Sequence, residues 1–460
     1  MQGIIGCTMM SKECGLFMYN LCCLNYNKIN ILTNLKKSSN LISYIKLDDF
    51  SVRYIMYIKR HAEDTVNKLS KMFGSVIVTG PRQVGKTTML KEMLDNISYV
   101  TLDDSIIRNN AIEYPTTFIK DNPPPVFIDE IQKAPQLFSE IKMYIDSNKK
   151  KGQFYLSGSQ QLQMMKNVSE SLSGRIGILP LLGFSMREKY NIDFKEAFIP
   201  TTDYINERRK YNTVFEYDEI WYNIWRGNMP ELNLNPEFDW KLYYGAYVTT
   251  YIERDIRDLS QVGDEIKFSK FMEVAASRHG QMLNLNDMAR DIGVSQPTAE
   301  RWLSILLASH IVYLLKPYSN NLTKRAVKTP KLYFLDSGLA AYLSKWNTPQ
   351  SLKSGAMAGA YFEGFVLSEI LKSYYNKGIV EPPIYYYRDK DNREINIIIE
   401  DNAVLYPIEI KAHADPSKRD IKQFELLDKL ALRGEGSVIC MYDKLISLSD
   451  KDKVIPVGYL

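Results

Sequence analysis

The octapeptide Gly80-Pro81-Arg82-Gln83-Val84-Gly85-Lys86-Thr87 constrains this chain more than any other stretch, because its spacing, G-x-x-x-x-G-K-T, carries a geometry with it. Gly74-Ser75-Val76-Ile77-Val78-Thr79 before it reads as a short β-branched strand, and Thr88–Leu94 after it as a helix. In such a strand–loop–helix, glycines at both ends let backbone N–H groups curl around phosphate oxygens, and the helix N-terminus adds partial positive charge. The Lys86 ammonium then reaches the β- and γ-phosphates, and the Thr87 hydroxyl ligates magnesium. ATP and Mg2+ are the expected ligands, held by Gly80, Pro81, Arg82, Gln83, Val84, Gly85, Lys86, Thr87 and Thr88. The bland alternative, a chance Gly-rich turn, is disfavoured by eight matching positions with the right flanks.

A second half of the same chemistry follows. Pro125-Val126-Phe127-Ile128-Asp129-Glu130 is an apolar run ending in two carboxylates, as expected of a parallel strand buried on both faces. Asp129 is expected to hold the metal and Glu130 to polarise the attacking water; capping of the next helix is the structural alternative. Gln153–Ser159 is another strand ending in small polar residues, where Ser159 or Gln160 is placed to sense the γ-phosphate. Arg175, after Glu170-Ser171-Leu172-Ser173-Gly174, is a candidate to stabilise charge on the γ-phosphate in its own or a neighbouring subunit; the alternative is a surface salt bridge. Strands near 75–79, 99–103, 125–129, 153–158 and 176–180, alternating with helices, predict a doubly wound α/β P-loop domain over 56–190 with its ligand at the C-terminal strand edge.

Gly-Pro-Arg-Gln-Val-Gly-Lys-Thr, Phe-Ile-Asp-Glu-Ile-Gln, Leu-Ser-Gly-Ser-Gln and Ser-Leu-Ser-Gly-Arg, in this order, resemble the prokaryotic AAA-type ATPases of the AAA+ superfamily that carry a C-terminal domain of unknown function. The resemblance covers roughly residues 56–430 and implies an ATPase. Residues 191–265 form a helical connector in this reading. Within it, Trp225-Arg226-Gly227-Asn228-Met229-Pro230-Glu231 resembles a glycine-proline turn of that family, and Tyr247–Leu259, with Arg254 and Asp255, is expected to be helical.

From 266 to 345 the pattern predicts a winged helix. Phe268, Phe271, Met272, Ala275 and Ala276 make one apolar stripe; Leu285–Ile292 is a short helix; Gly293-Val294 is a turn; and Ser295–Ala308 is a second helix, capped by Ser295 with Pro297 in its first turn. Strands Ile311–Leu315 and Lys331–Leu335 would form the wing. If DNA is the partner, Gln296, Thr298 and Arg301 face a groove and Lys324, Arg325, Lys328 and Lys331 meet phosphates; otherwise these helices are a lid on the ATPase or on a protein partner.

Over 346–460, Glu363 is expected on a helix, Glu394-Ile395-Asn396 and Glu409-Ile410-Lys411 on strands, and a helix over Ser417–Leu430 follows. In this order these residues resemble the small α/β core of PD-(D/E)XK nucleases. Such a core gathers Mg2+ and activates water through its acids and lysine. Asn396 stands in the slot that the resemblance assigns to an aspartate, and an amide oxygen binds Mg2+ more weakly than a carboxylate. A degenerate site of Glu363, Glu394, Asn396, Glu409 and Lys411 is therefore expected, with cleavage disfavoured; a cross-strand ion pair of Glu409 and Lys411 is the plain alternative.

Charge bounds the partners. Lys+Arg is 58 against 54 Asp+Glu in 460 residues, a net +4, which excludes a wholesale nucleic-acid coat. No apolar run reaches the ~18 residues of a membrane span. The best stretch, Gly15–Leu32, is broken by Asn20, Asn25, Asn27, Lys28 and Asn30, so a cytoplasmic protein is expected, an oligomer being compatible with Arg175 acting in a neighbour. Residues 1–55 lack periodicity and hold Cys7, Cys14, Cys22 and Cys23, leaving only Cys440; they read as an extension ahead of a natural start at Met56. Without them the net charge is +1. The expected function is Mg2+-dependent ATP hydrolysis coupled to movement of the C-terminal units on DNA or protein. The alternatives are an ATP-gated nucleic-acid-binding switch with little turnover and an ATP-dependent nuclease.

Overall fold

The computed structural model describes residues 57–158, 171–252, 265–319 and 329–460. The expectations placed on residues 1–55, Ser159, Gln160, Glu170, Arg254, Asp255, Lys324, Arg325 and Lys328 lie outside the described residues.

Five short apolar runs build the first sheet: β1 Ser75–Thr79, β2 Ser98–Thr101, β3 Val126–Asp129, β4 Phe154–Gly158 and β5 Ile176–Pro180. They pair in parallel in the order β2-β3-β4-β1-β5. Side chains alternate across a strand, so Val76 and Val78 enter one core layer and Ile77 the other, as Phe127 does against Val126 and Ile128. Both faces being covered, β1, β3 and β4 are buried end to end. The order β3-β4-β1 brings the loops after β1 and β3 to one sheet edge, with the end of β4 between them.

The helices Glu265–Ser277, Leu285–Ile292 and Gln296–Ala308 stand with a three-stranded antiparallel sheet of β6 Gln281–Met282, β7 Val312–Leu315 and β8 Lys331–Phe334, ordered β6-β8-β7. Ser295 caps the third helix, its Oγ accepting from the Thr298 N–H at 3.3 Å, and Pro297 sits in the first turn. The C-terminal sheet has β9 Ile384–Arg388, β10 Glu394–Asp401, β11 Val404–Lys411, β12 Leu432–Arg433, β13 Gly436–Cys440, β14 Ile446–Ser447 and β15 Asp452–Pro456. Its order is β14-β15-β13-β11-β10-β9, antiparallel through β9-β10-β11 and parallel through β11-β13-β15, with β12 beside β11.

One expected helix differs, and one is described only in part. Over 417–430 only a 3-10 helix, Lys422–Lys429, forms. Its apolar residues Ile421, Phe424, Leu427 and Leu430 recur every three residues, the period of a 3-10 and not of an α-helix. Of the expected helix Tyr247–Leu259, the described residues 247–252 are helical, as the end of the helix Trp240–Tyr247 and the π-helical turn Val248–Ile252, and 253–259 lie outside the described residues.

One hydrophobic cluster runs from Ala62 to Leu460, through Val76, Leu181, Trp221, Trp302, Phe362 and Ile408. Its axis is the helix Ala358–Asn376, which packs on β5, on the helix Tyr217–Arg226 and on β11. Within it Glu369 and Lys372 pair at 2.7 Å, each side chain 3% exposed. Glu369 Oε2 accepts from the Met186 N–H at 2.8 Å, and Lys372 Nζ donates to the Phe184 carbonyl at 3.0 Å.

The 225–231 stretch is a junction. Gly227 ends the helix Tyr217–Arg226 with φ +81°. Asp336, just beyond β8, accepts from the Asn228 N–H at 2.8 Å and from the Tyr244 hydroxyl at 2.7 Å. A Cβ on Gly227 would lie 2.2 Å from that hydroxyl. Gly227→Ala is therefore expected to lower stability by about 1–3 kcal/mol from backbone strain alone, read as a lower urea midpoint with an unchanged m-value.

Candidate functional site

The loop after β1 and the carboxylate ending β3 converge. Lys86 opens the helix Lys86–Met93 and is 6% exposed; its Nζ donates to the Gly80 carbonyl at 3.0 Å and the Pro81 carbonyl at 2.6 Å. Gly80 is required by space, because a Cβ there would lie 2.0 Å from the Leu181 carbonyl oxygen. The Thr87 hydroxyl stands 3.0 Å from both Asp129 oxygens. Asp129, 5% exposed, also accepts from Tyr99 Oη at 3.2 Å and from Ser157 Oγ. Burial, then the Asp129 charge, raises the pKa of Tyr99, so its phenol stays a proton donor. Glu130 follows in the left-handed region (φ 57°), and its carboxylate accepts from Gln132 Nε2.

The all-oxygen pair of Thr87 and Asp129, where the phosphate loop meets the end of β3, suits Mg2+, which binds through one or two protein oxygens and completes its shell with phosphate and water. Ser157 and Tyr99 were not singled out from the sequence; the signal for Ser157 was its place at the end of the strand next to β3.

Arg175 is a correction for the site within one chain. It precedes β5, whose Ile176 pairs with Ser75 at the start of β1, whereas the phosphate loop leaves the end of β1. The strand between spans about 17 Å at 3.3–3.4 Å per residue. At that far edge the Arg175 guanidinium grips Asp146, Nε to Oδ1 at 2.5 Å and Nη2 to Oδ2 at 3.0 Å.

The loop is held from behind by a residue the sequence reading missed. Arg60, 3% exposed, donates to the Val84 carbonyl at 2.8 Å and the Leu182 carbonyl at 2.7 Å, and pairs with Glu188 at 2.9 Å. Glu188 completes a capping box with Ser185; Ser-x-x-Glu at 185–188 was the available signal. From the C-terminal side, the Tyr243 hydroxyl donates to Gln83 Oε1 at 2.9 Å. His310, in the turn before β7, has a buried Nε2 without a hydrogen-bond partner. Burial first, and the Lys86 ammonium second, push its pKa down to about 4.

The other expected residues divide. Gln296 and Arg301 are exposed on the helix Gln296–Ala308, with Gln296 bonded to Glu300 at 2.9 Å and Thr298 turned to the Ser295 hydroxyl at 2.9 Å. Lys331 is a correction: expected beside phosphates, it is 4% exposed and pairs with Glu363 at 3.0 Å and Glu394 at 2.5 Å. Around it gather the other nuclease-like positions. Asn396 Nδ2 donates to Glu363 Oε2 at 3.0 Å, and Lys411 pairs with Glu409 at 2.7 Å, along one strand and not across two. Burial, only partly offset by Lys411, pushes Glu409 up to about 7.

With this geometry in place, the chain can be set beside known proteins. Residues 73–190 match the model of an AAA domain, 217–350 a domain of unknown function (DUF8612) and 358–460 another (DUF4143). An uncharacterised protein of Mycobacterium tuberculosis and one of Mycobacterium bovis are each 27% identical over 345 residues, 74% of this chain and 71% of theirs. Among solved structures, the Walker-type ATPase PABY2304 of Pyrococcus abyssi is 13% identical, covering 66% of this chain and 99% of that one with a TM-score of 0.38. AMPPCP-bound DnaA of Aquifex aeolicus is also 13% identical, covering 53% and 84% with a TM-score of 0.26. The family match, on top of the loop geometry, supports an AAA-type, ATP-binding P-loop domain. Among the described residues no helix is long and apolar enough to cross a membrane.

The support behind the loop has a pH signature. Burial opposes ionisation of Glu188, but Arg60, the nearby His61 and the Ser185 N–H outweigh it and lower the carboxyl to about 2 from 4.5. A lowered carboxylate stabilises the fold fully above the unfolded value, and that contribution fades as pH falls through the folded one. Glu188→Gln is therefore expected to cost about 3 kcal/mol at neutral pH, and to flatten the fall in stability between pH 4.5 and 2, in urea titrations across that range.

Proposed function

We propose that this protein is a Mg2+-dependent ATPase whose nucleotide cycle repositions its C-terminal half on a partner. The observation that carries the reading is the Thr87 hydroxyl 3.0 Å from Asp129, beside a buried Lys86 whose ammonium is turned into the phosphate loop. Bound Mg2+ would be held by Thr87 and Asp129 and would neutralise charge on the β- and γ-phosphates. Lys86 orients the phosphates, and the backbone N–H groups of residues 82–88 hold them. Glu130 sits one residue past the metal position and takes the proton of the attacking water as general base, with Gln132 orienting its carboxylate. Ser159, which follows β4 in sequence, is proposed as the γ-phosphate sensor, and Arg175 as a contributor to a neighbour's site.

Coupling is supported by the Tyr243 hydroxyl on Gln83, since Tyr243 comes from beyond the P-loop domain and meets the loop that must move when phosphates arrive. The helix order and the β6-β8-β7 sheet support a winged-helix reading of 266–345, with Gln296, Thr298 and Arg301 as its candidate DNA contacts. With Lys331 withdrawn into an ion cluster, the cationic surface proposed for DNA is smaller than the sequence suggested, which favours a protein partner.

Lys86→Ala is expected to abolish binding of a fluorescent ATP analogue. Glu130→Gln should keep binding and lower kcat by about 100-fold or more; normal turnover in that variant would place the base elsewhere. The wild-type ATPase rate, measured with and without single- and double-stranded DNA, separates the partners: a rate indifferent to DNA is expected, and DNA stimulation lost in Arg301→Ala would return the reading to a nucleic-acid switch.

A further inference from the structure

β8, the helix Ala358–Asn376, β10 and β11 meet at a closed cluster of charges. Lys331 enters from β8, Glu363 from the helix, Glu394 and Asn396 from β10, and Glu409 and Lys411 from β11. Three carboxylates, Glu363, Glu394 and Glu409, face three cations: Lys331, Lys411 and Arg388, the last 3.8 Å from Glu394. We propose that Lys331 is the built-in cation of this cluster: its ammonium takes the place among Glu363, Glu394 and Asn396 that a divalent metal would otherwise take, and so locks the three-stranded unit to the C-terminal sheet.

The hydrogen bonds support this in detail. Lys331 Nζ lies 3.0 Å from Glu363 Oε1 and 2.5 Å from Glu394 Oε1, and 5.6 Å from the centre of the Tyr386 ring. A buried ammonium survives only with its charge compensated and its protons used, and two carboxylates and an aromatic ring from three different elements supply that. The Tyr333 hydroxyl, also from β8, donates to the same Glu363 oxygen. Glu363 Oε2 is taken by Asn396 Nδ2 at 3.0 Å, while Asn396 Oδ1 accepts from the Ile410 N–H at 3.0 Å. An aspartate at 396 could accept from Ile410 but could not donate to Glu363, and the two carboxylates would need a cation between them. The amide at 396 and the ammonium of Lys331 are thus two halves of one change, one negative charge removed and one positive charge supplied. A cation site keeps surplus negative charge; here Lys331 and Arg388 offset the two carboxylates, Glu363 and Glu394, that would hold the metal.

The inference is independent of the ATPase reading and is tested on the full chain without nucleotide, by the loss of free Mn2+ signal in electron paramagnetic resonance. Wild type is expected to bind no Mn2+ in a Glu363-dependent manner. The double variant Lys331→Met, Asn396→Asp should bind one Mn2+ per chain, and adding Glu363→Gln should abolish that binding. Where the double variant folds only in Mn2+, as judged by circular dichroism, the proposal is equally supported. Wild-type Mn2+ binding that Glu363→Gln removes would falsify it. So would a folded double variant that ignores Mn2+, or an unfolded one that Mn2+ does not restore.

Discussion

The arrangement of this chain depends on one buried ion pair, Glu369–Lys372, near the middle of the helix Ala358–Asn376. Two charges removed from water are tolerated only if every remaining lone pair and proton is used. Here the spare acceptor takes the Met186 N–H and the spare donor takes the Phe184 carbonyl, both in the segment that follows β5. The pair therefore fixes where the C-terminal helix lies against the phosphate-binding domain. The same helix carries Glu363 near its start, so one rod ties the first sheet, β8 and β10 together. Its end is secured where the Thr65 hydroxyl donates to the Asn376 carbonyl at 2.6 Å.

Against this rigid frame the phosphate loop is gripped from two sides. Arg60 holds its back, Tyr243 its outer turn, and His310 lies within the field of Lys86. Arg60 comes from before the loop and Tyr243 from well after it in sequence, and a displacement of Gln83 meets the C-terminal half without an intermediary. That geometry is why a coupled ATPase is a better reading than a simple nucleotide store.

The first sheet was legible because buried parallel strands leave continuous apolar runs, as Val76–Val78 and Val126–Ile128 do, and because the loop between them needs residues that little else requires. Thr87 and Asp129 followed from the same economy. Arg60 and Glu188 were not legible: they are single charged residues 128 positions apart, and nothing local in either marks the other. Arg175 illustrates a different difficulty, since a residue just before a parallel strand sits at the opposite edge from a loop that leaves the neighbouring strand. Lys331 looked like part of a basic wing because its neighbours in sequence are cationic, but strand alternation and a facing pair of acids turned it inward. In the C-terminal unit the acids and lysine were legible as a set, and their mutual neutralisation was not, because it depends on a strand from another unit.

The continuous core from Ala62 to Leu460 bears on modularity. The segment after β5 buries Leu181, Leu182 and Met186 in that core, and β5 packs against the helix Ala358–Asn376. A chain ending near residue 190 would keep the phosphate loop but uncover this apolar flank and strand the inward-facing Arg187 and Glu188. Nucleotide-binding and C-terminal parts are thus separable as sequence patterns but share one core: they are expected to melt together, and exchanging one for a homologue's would require its facing surface as well.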